Sequence, residues 1–556
     1  MTLPLRRRRS VRIAAIAVLA AATTVLSACS AGGGTTTAAD TGTPVKGGTL
    51  KLAFWPDNPN LTSIDPFQIY WIETRTVLRN VVDSLTDQDP KTGELVPWLA
   101  TDWKAEDSNT KFTFDLKQGV TFSDGTPFTA DSVKLAFDSD AAEAKAIPGV
   151  FGASYISGYE GTKVVDDDTV EVTFAKPNAA FLQATSTTTL GILAASSYAK
   201  TAEQRSAGEI IGSGPFTLDS YAPTKGIELS RRTGYDWASK LNAHQGDAYL
   251  KHVSVSYVAE DSVRLGQLTS GAIDVDWPRN PFSAPNQQVL TASGDTLEQR
   301  SLPGPSYTLY PNVSAGHVLA DQVVRQALQK AIDRASYAKT IFGAKYPIVT
   351  SLFDTTTPFY SDRSGALGFD LAGATALLDG DGWKVGSDGY RHKGGKTLTI
   401  DYPTNATFPG DQLLQDQLKQ AGIKLDIRVE TAAQWAADRA AGKYDLGVSY
   451  LTRADPSVAQ SILDTRYATA AVFAQNAASA EQQQKIQSLF DQGRAAESND
   501  ARDTAYTALQ QYLIDDQSLA FPLFERVQHV GVSSKVHGFR FTSEAFGSFS
   551  DIWLAS

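Results

Sequence analysis

The stretch KQGVTFSDGTPFTADSV, residues 117–133, is the segment that says most about the fold. Asp124-Gly125 lies between two short apolar runs, a pattern typical of a tight turn. A helix is predicted to begin at Thr129 or two residues later, because threonine and aspartate side chains cap helix N-termini. That helix would bury Val133 and Phe137, which are four residues apart and share one face. The segment therefore predicts a turn followed directly by an amphipathic helix.

Strand signals dominate the first half of the chain. Apolar and polar residues alternate there in three segments, which predicts half-buried strands. The alternating apolar positions are Phe112, Phe114 and Leu116, then Val170, Val172 and Phe174, and then Val253, Val255 and Tyr257.

Helix signals are stronger in the second half. One helix is predicted from an N-cap at Asp321 to a stop at Gly343. Its apolar residues recur every four positions, at Val324, Leu328 and Ile332. A second helix, residues 413–421, ends at Gly422 and precedes a strand that carries Ile423, Leu425 and Ile427. Helix, glycine and strand in this succession indicate an α/β lobe.

The N-terminus has the pattern of an export signal. Five arginines precede an apolar stretch, residues 13–26, which leads into Leu26-Ser27-Ala28-Cys29. A charged region, a short apolar region and small residues before a cleavage point are typical of such signals. The apolar stretch is shorter than the roughly 20 residues that a membrane span needs. A plain secreted protein and a single membrane anchor are the alternatives, and Arg8-Arg9-Ser10 leaves Sec and twin-arginine export both open.

Cys29 is the only cysteine of the 556 residues, and its surroundings resemble a bacterial lipobox. The resemblance implies cleavage before Cys29 and diacylglycerol on its sulfur. Two or more acyl chains anchor a protein stably, at about 0.8 kcal/mol per buried CH₂. We expect a mature protein on the outer face of the cytoplasmic membrane, with residues 30–45 as a flexible tether that is rich in small residues.

The composition limits the classes of partner. Removal of residues 1–29, which hold five arginines and no acid, leaves 45 basic against 61 acidic residues, a net charge of −16. Such a chain has no electrostatic reason to bind nucleic acid. About 510 residues remain after the tether, enough for two or three domains.

No metal centre or active site is indicated. The six histidines fall in no His-x₃-His or Glu-x-x-His spacing, which argues against a built-in zinc or copper site. The chain has no G-x-S-x-G, H-E-x-x-H or P-loop motif. Asp274 and Asp276 share one face of a predicted strand, as a glycosidase pair could, but their apolar neighbours favour a wall role. We expect a protein that is not an enzyme and needs no cofactor.

Short motifs follow one another in a fixed order along residues 47–540. They are Gly47-Gly48-Thr49-Leu50, Ile64-Asp65-Pro66, residues 92–100, residues 117–133, residues 212–216, residues 271–275, residues 321–334, Gly422-Ile423, Tyr444-Asp445, Asp455-Pro456, Phe521-Pro522-Leu523 and residues 536–539. With these motifs the chain resembles the large extracellular solute-binding proteins, family 5, of peptide- and nickel-type ABC importers. Most of the residues are turns and packing positions, so they speak for the fold and say little about the ligand.

The resemblance implies an α/β, two-lobe fold of the periplasmic-binding-protein type with an extra inserted domain and a two-segment hinge. Lobe one would comprise residues 46–78, 205–304 and 522–556. The inserted domain would be residues 79–204, and lobe two residues 305–521. Ligand binds between the lobes in this family, and hinge closure buries it.

The resemblance puts five aromatic residues in or near the cleft. They are Trp55, Trp71, Tyr307, Trp435 and Tyr450, and for each of them core packing is the alternative. In peptide-binding relatives an aspartate three residues before an acid-Pro pair receives the peptide's ammonium, and here that position is Thr452. Either Asp455 takes over, or the ligand is anionic or blocked and Arg453 pairs with its carboxylate. A surface pair between Arg453 and Asp455 is the third alternative.

The expected function is that of the substrate-binding component of an ABC importer, a monomer that takes an oligopeptide or peptide-like solute and hands it to permease subunits. An oligosaccharide, an opine-like conjugate and a metal chelate are alternative ligands. A ligand-sensing lipoprotein without a transport partner is also compatible, because a fold does not determine a function.

Overall fold

The computed structural model describes residues 42–56, 62–147, 149–408, 410–466 and 476–555. These residues belong to one unit, which starts at Gly42. The predicted signal peptide, Cys29 and residues 30–41 of the predicted tether lie outside the described residues. None of the described helices has both the length and the apolar character to cross a membrane.

The strands lie along the whole unit. In chain order they are β1 Thr49–Phe54, β2 Thr86–Gln88, β3 Leu95–Pro97, β4 Ala100–Glu106, β5 Lys111–Leu116, β6 Tyr159–Asp166, β7 Thr169–Phe174, β8 Phe216–Ala222, β9 Gly226–Arg231, β10 His252–Tyr257, β11 Val275–Trp277, β12 Thr296–Ser301, β13 Tyr307–Pro311, β14 Lys384–Val385, β15 Arg391–Lys393, β16 Lys396–Thr397, β17 Thr399–Thr404, β18 Lys424–Val429, β19 Leu446–Ser449, β20 Phe521–Phe524, β21 Val527–Val532, β22 Val536–His537, β23 Arg540–Phe541, β24 Gly547–Ser548 and β25 Trp553–Leu554.

The helices are concentrated in the second half. In chain order they are α1 Ile72–Leu78, α2 Ala130–Ala146, α3 Ala180–Ala184, α4 Ala195–Tyr198, α5 Ala202–Ser206, α6 Asp261–Thr269, α7 Ala284–Ala292, α8 Gln322–Ala331, α9 Arg334–Phe342, α10 Leu371–Gly380, α11 Gly410–Gln420, α12 Ala432–Ala440, α13 Gln460–Leu463, α14 Ala480–Ala495 and α15 Asn499–Gln511. Short 3₁₀ turns occupy Asp107–Asn109, Phe151–Ser154, Thr188–Leu190, Val318–Ala320 and Pro456–Ala459, and a π-helical turn, Tyr512–Asp516, follows α15.

A seven-stranded sheet with the order β12-β21-β11-β1-β10-β9-β8 organises the first lobe. Strand β1 is parallel to β10 and β11, and the other pairings are antiparallel. The C-terminal residues return to this sheet. The ring of Trp277 lies 5.9 Å from that of Phe54 and 6.2 Å from that of Phe539, so residues almost 500 positions apart in sequence share one core.

The predicted turn and helix of residues 117–133 are confirmed. Gly125 has a φ of +85°, which suits glycine in a turn. Helix α2 begins directly after Thr129, and it buries Val133 and Phe137 completely. It packs on the four-stranded antiparallel sheet β4-β5-β7-β6, whose inward residues include the predicted alternating positions of β5 and β7.

The long helix predicted from Asp321 to Gly343 is wrong, because the structure divides it into α8 and α9. The break falls at residues 332–333. The carboxylate of Asp333 accepts the backbone N–H of Ser336 at 2.9 Å and so starts a new helix. The two predicted ends are confirmed, since Asp321 caps α8 and Gly343 ends α9 with a φ of +106°.

The second lobe contains the antiparallel sheet β19-β13-β20 and the parallel pair β17 and β18. Two segments join this lobe to the seven-stranded sheet. The first crossing segment is residues 302–306, between β12 and β13, and the second is residues 525–526, between β20 and β21. They lie side by side, since the N–H of Leu302 donates to the carbonyl of Arg526 at 2.8 Å. The chain therefore forms two α/β lobes joined by a two-segment hinge, while the predicted residue limits of the domains stay a prediction.

Candidate functional site

Four aromatic rings form a stack where the three-stranded sheet meets the crossing segments. We call Tyr307, Phe408, Tyr450 and Phe524 the aromatic wall. The ring centroid of Tyr307 lies 4.3 Å from that of Phe524, 5.3 Å from that of Tyr450 and 5.8 Å from that of Phe408. Three of these rings come from the ends of neighbouring strands: Tyr307 opens β13, Phe524 ends β20 and Tyr450 follows β19. The sheet therefore brings together residues more than 200 positions apart.

The wall is half-buried at Tyr307 and open at Tyr450, which is 44% exposed. Burial, with a smaller contribution from neighbouring Tyr402 and Tyr450, raises the pKa of Tyr307 well above its usual range. Tyr307 therefore keeps its hydroxyl proton and can donate a hydrogen bond. The exposed ring of Tyr450 offers a flat apolar surface to a bound molecule.

Arg526, in the second crossing segment, lies against this open end of the wall. Its guanidinium carbon is 4.6 Å from the ring centroid of Tyr450, a cation–π distance. Its Nη2 donates to the hydroxyl of Thr452 at 2.7 Å, and its Nη1 is buried without a hydrogen-bond partner in the described residues. Burial lowers the pKa of Arg526 from its usual range.

Arg453 is only 3% exposed and lies on the ring of Tyr155, 3.7 Å from its centroid. Its backbone N–H donates to the carbonyl of Pro303 in the first crossing segment at 3.0 Å. Its Nε and Nη2 are buried and donate no hydrogen bond to the part of the chain that the structure describes. A buried N–H group without an acceptor is costly, so Nε and Nη2 of Arg453 call for an acceptor that the described residues do not supply.

Asp455 has a different partner. Its carboxylate accepts a hydrogen bond from Arg502 Nη2 at 2.8 Å and from the N–H of Ser457 at 2.9 Å, and it is 1% exposed. Burial alone would raise its pKa, but Arg502 and then Arg453 outweigh it and hold the pKa below the usual range. The surface pair between Arg453 and Asp455, the third alternative above, is wrong, because both residues are buried and Asp455 is taken by Arg502.

The three predicted tryptophans are dispersed. Trp71 lies under the guanidinium of Arg279 at 4.4 Å and edge-on to Tyr70 at 5.1 Å. Burial, and then the nearby Tyr450, raise the pKa of Tyr70 from its usual value, so this segment lies towards the exposed end of the aromatic wall.

Trp55 and Trp435 have arginine neighbours of their own. Trp55 is 5.8 Å from the guanidinium of Arg264, and Trp435 is 4.2 Å from that of Arg439 on the same helix. Among the residues that the structure describes, no ring contact joins either tryptophan to the aromatic wall.

Two arginines at a separate polar cavity differ from those of the cleft, because both have a carboxylate partner. The cavity is small and is lined by Arg79 and Arg540 among others. Arg79 pairs with Asp87 at 2.6 Å, and Arg540 pairs with Asp551 at 3.1 Å. That cavity has its charges neutralised within the protein. The cleft, by contrast, holds two guanidinium groups with unpartnered N–H groups beside an aromatic surface.

The arrangement is suited to binding. Planar guanidinium groups form paired hydrogen bonds with carboxylates, and the rings supply apolar contact. Sequence reasoning missed Arg526, Tyr155, Phe408 and Phe524. Arg526 had a signal: it is the one cation in the run Phe521 to Val527, where an apolar strand would be expected. Phe408 had none, because it comes from a loop before α11.

Curated proteins with similar sequences are binding proteins in the cases whose names state a function. The chain is 28% identical to the oligopeptide-binding protein OppA of Mycobacterium tuberculosis over 342 residues, which are 59% of this chain and 55% of OppA. It is 28% identical to protein XP55 of Streptomyces lividans over 451 residues, 77% of this chain and 76% of XP55. The match thus spans little more than half the length of OppA.

Solved structures share the fold across nearly the whole chain. NikA from Brucella suis, in complex with Fe(III)-EDTA, superposes with a TM-score of 0.77 at 21% identity, over 91% of this chain and 100% of NikA. The periplasmic binding protein DppA from Helicobacter pylori, in complex with the peptide STSA, superposes with a TM-score of 0.72 at 22% identity, over 92% and 99%. The two-lobe fold of the periplasmic-binding-protein type is therefore confirmed.

A family model matches residues 94–472, more than half of the chain, and its description is bacterial extracellular solute-binding proteins, family 5 Middle. Family members work outside the cytoplasm and bind solutes rather than transform them. The chain belongs to the bacterial extracellular solute-binding proteins of family 5.

Proposed function

We propose that this protein is the membrane-anchored substrate-binding component of an ABC importer, which captures an oligopeptide or peptide-like solute between its lobes and delivers it to the permease. The family supports the binding role, and the names of OppA and DppA support a peptide-like solute. The observation that carries the proposal is the buried Arg453, which follows Tyr450 by three residues, lies on the ring of Tyr155 and has two N–H groups without an acceptor among the described residues. The protein acts as a monomer on the outer face of the membrane.

The predicted site residues divide into three roles under this proposal. Tyr307 and Tyr450 pack on the body of the solute, and Arg453 pairs with an anionic group on it. Asp455 holds the loop in place through Arg502 and so acts indirectly. Trp71, Trp55 and Trp435 line the outer parts of the cleft.

Substitution of Arg453 tests the proposal. Arg453→Ala should lower affinity by two or more decades, because loss of one partner of a buried charge pair costs about 3–5 kcal/mol and each decade is about 1.4 kcal/mol. Calorimetry with the solute identified by native mass spectrometry, from protein purified from its own host, measures the change. Arg363→Ala is the matched control, since Arg363 pairs with Asp515 at 3.0 Å away from the wall. Parental affinity in a stably folded Arg453→Ala variant would overturn the assignment.

The same solute tests two further parts of the proposal: that the two lobes close on it and that the protein does not transform it. Ligand shifts an open–closed equilibrium by its differential affinity for the two states, so small-angle scattering should show compaction at saturation. The bound solute should be recovered unchanged. No compaction would contradict the two-lobe capture, and turnover would place the protein among the enzymes.

A non-peptide solute is the second candidate, and Thr452 favours it. Threonine there offers a hydroxyl, already held by Arg526, where a peptide ammonium would need a carboxylate. A solute without a free ammonium group, such as an opine-like conjugate, an oligosaccharide or a metal chelate, is compatible with threonine at this position. Native mass spectrometry separates these classes of solute by mass. If the protein only senses its ligand, it should bind the solute, and deletion of the permease should not reduce uptake of that solute.

The lipid anchor is a separate part of the proposal, and it rests on the lipobox at Cys29. Cys29→Ala should abolish metabolic acyl labelling and release the protein from the membrane fraction. Ser27→Ala is the matched control, because it leaves a small residue before the cysteine. Unchanged labelling and unchanged membrane retention of Cys29→Ala would refute the anchor.

A further inference from the structure

Arg526 lies in the second crossing segment and is therefore part of the hinge itself. Its backbone carbonyl accepts the N–H of Leu302, so it ties the second crossing segment to the first. Its own N–H donates to the carboxylate of Asp354 at 3.0 Å. A movement of the hinge therefore moves the backbone of Arg526 with it.

The side chain of Arg526 faces away from the hinge, towards the site. It reaches Thr452, the residue directly before Arg453, and covers Tyr450. Two acids, Glu525 and Asp354, lie nearby. Glu525 accepts from the hydroxyls of Ser301 and Thr355.

Asp354 accepts the backbone N–H of Arg526 with one carboxylate oxygen, and its other oxygen has no partner among the described residues. Burial, and then the charge of Glu525, raise the pKa of Asp354 well above its usual range. No ion pair forms between Arg526 and a carboxylate within the described ranges. The N–H groups at Nη1 thus remain available, in the same loop region as those of Arg453.

We infer that Arg526 is a second ligand-contacting residue, which together with Arg453 binds a carboxylate of the solute and couples that contact to hinge closure. The inference rests on the proposed function and specifies its ligand: a solute that carries a carboxylate at the Tyr450 end of the cleft. Two guanidinium groups, each with a desolvated and unpartnered N–H, select a carboxylate over a neutral amide of the same shape. The carboxylate can be the C-terminus of a peptide or an acidic side chain.

Three pools of tripeptides separate these sources. One pool has free C-termini and no acidic residue, the second is the same pool amidated, and the third is amidated with one glutamate per peptide. Each pool is equilibrated with parent, Arg526→Met and Arg363→Met, and retained peptides are counted by native mass spectrometry. The parent should retain a carboxylate-bearing pool at least tenfold better than the amidated pool, and the pool retained identifies the source.

Arg526→Met should reduce this preference at least tenfold, while Arg363→Met should keep it. A merely structural role for Arg526 would lower retention of all pools alike and leave the preference unchanged, which would overturn the inference but not the proposed function. Equal retention of all pools by the parent would also overturn it. Retention of no pool by the parent would overturn the peptide-like function and the inference with it.

Discussion

Arg453 and Asp455 are two residues apart, yet Arg453 has two buried N–H groups without an acceptor in the described part of the chain, while Asp455 is paired with Arg502. The pairing of Asp455 with Arg502 leads to a prediction about stability. Asp455→Asn should lower the free energy of unfolding by about 3–5 kcal/mol, because it leaves the buried Arg502 without its anion. Urea denaturation measures the loss. Lys104→Ala, which removes an exposed pair with Glu106, should change stability by less than about 1 kcal/mol.

A stable Asp455→Asn variant with weakened solute binding would contradict this structural role. It would indicate that Asp455 receives the ammonium of a peptide, which is the first of the alternatives that the sequence leaves open.

Tyr450 leads to a prediction about binding, because its ring is the exposed face of the aromatic wall. Tyr450→Ala should weaken solute binding by about 1–3 kcal/mol through lost apolar contact, with little change in stability. Calorimetry measures the affinity. Tyr450→Phe keeps the ring and should bind within a few-fold of the parent. If the alanine variant bound equally well, the ring would not contact the solute.

At the scale of elements, the first crossing segment depends on Gly304. Its φ is +114°, and a Cβ there would lie 2.3 Å from the carbonyl oxygen of Leu451. Gly304→Ala should therefore separate the crossing segment from the loop that carries Arg453, whose N–H is bonded to Pro303. We expect a stability loss of more than about 1 kcal/mol together with a loss of solute affinity.

The control for this change is another glycine. Gly266 lies inside α6 with a helical backbone and open space around its Cβ position. Gly266→Ala should leave binding unchanged and add about 0.4–1 kcal/mol of stability, measured by denaturant unfolding. A Gly304→Ala variant that behaved like Gly266→Ala would show that the close approach to Leu451 is not needed.

At the scale of the whole molecule, an acidic cluster joins α2, α5 and the segment before α1. Arg205 pairs with both Asp65 and Glu143, so one cation serves two carboxylates, and Asp140 lies beside them. Burial, and then the charge of Asp65, raise the pKa of Glu143 to about 7. Burial, and then the charges of Asp65 and Glu143, raise the pKa of Asp140 well above its usual range.

A raised carboxyl pKa stabilises the folded protein below the unfolded value, near 4.5 for glutamate, and this stability is lost as the pH rises through 7. The melting temperature should therefore fall as the pH rises from 4.5 to about 7, the window between the two pKa values. Glu143→Gln should flatten this slope, and Glu203→Gln, at the surface of α5, should keep it. Equal slopes in all three proteins would show that Glu143 does not titrate in this range.

Much of the fold could be predicted from local patterns. The turn at Asp124-Gly125, the start of α2 and the cap at Asp321 depend on a few neighbouring residues, and all three were confirmed. The continuous helix to Gly343 failed because the fourfold apolar repeat of Val324, Leu328 and Ile332 runs up to the break at residues 332–333 without a sign of it. Only the bond from Ser336 to Asp333 reveals the new helix start, and the repeat does not contain that information.

The sequence by itself determined the elements, their order and the family resemblance, because these depend on short-range patterns and on motifs in a fixed order. It also singled out Thr452 as the departure at the predicted ammonium position and Arg453 as its cationic neighbour. Only the tertiary structure decided that Nε and Nη2 of Arg453 are buried without an acceptor among the described residues, since Asp455 is bonded to Arg502 and Tyr155 comes from a distant segment. It alone revealed Arg526, because a cation becomes a candidate ligand contact when long-range packing desolvates its N–H groups and leaves them unpaired.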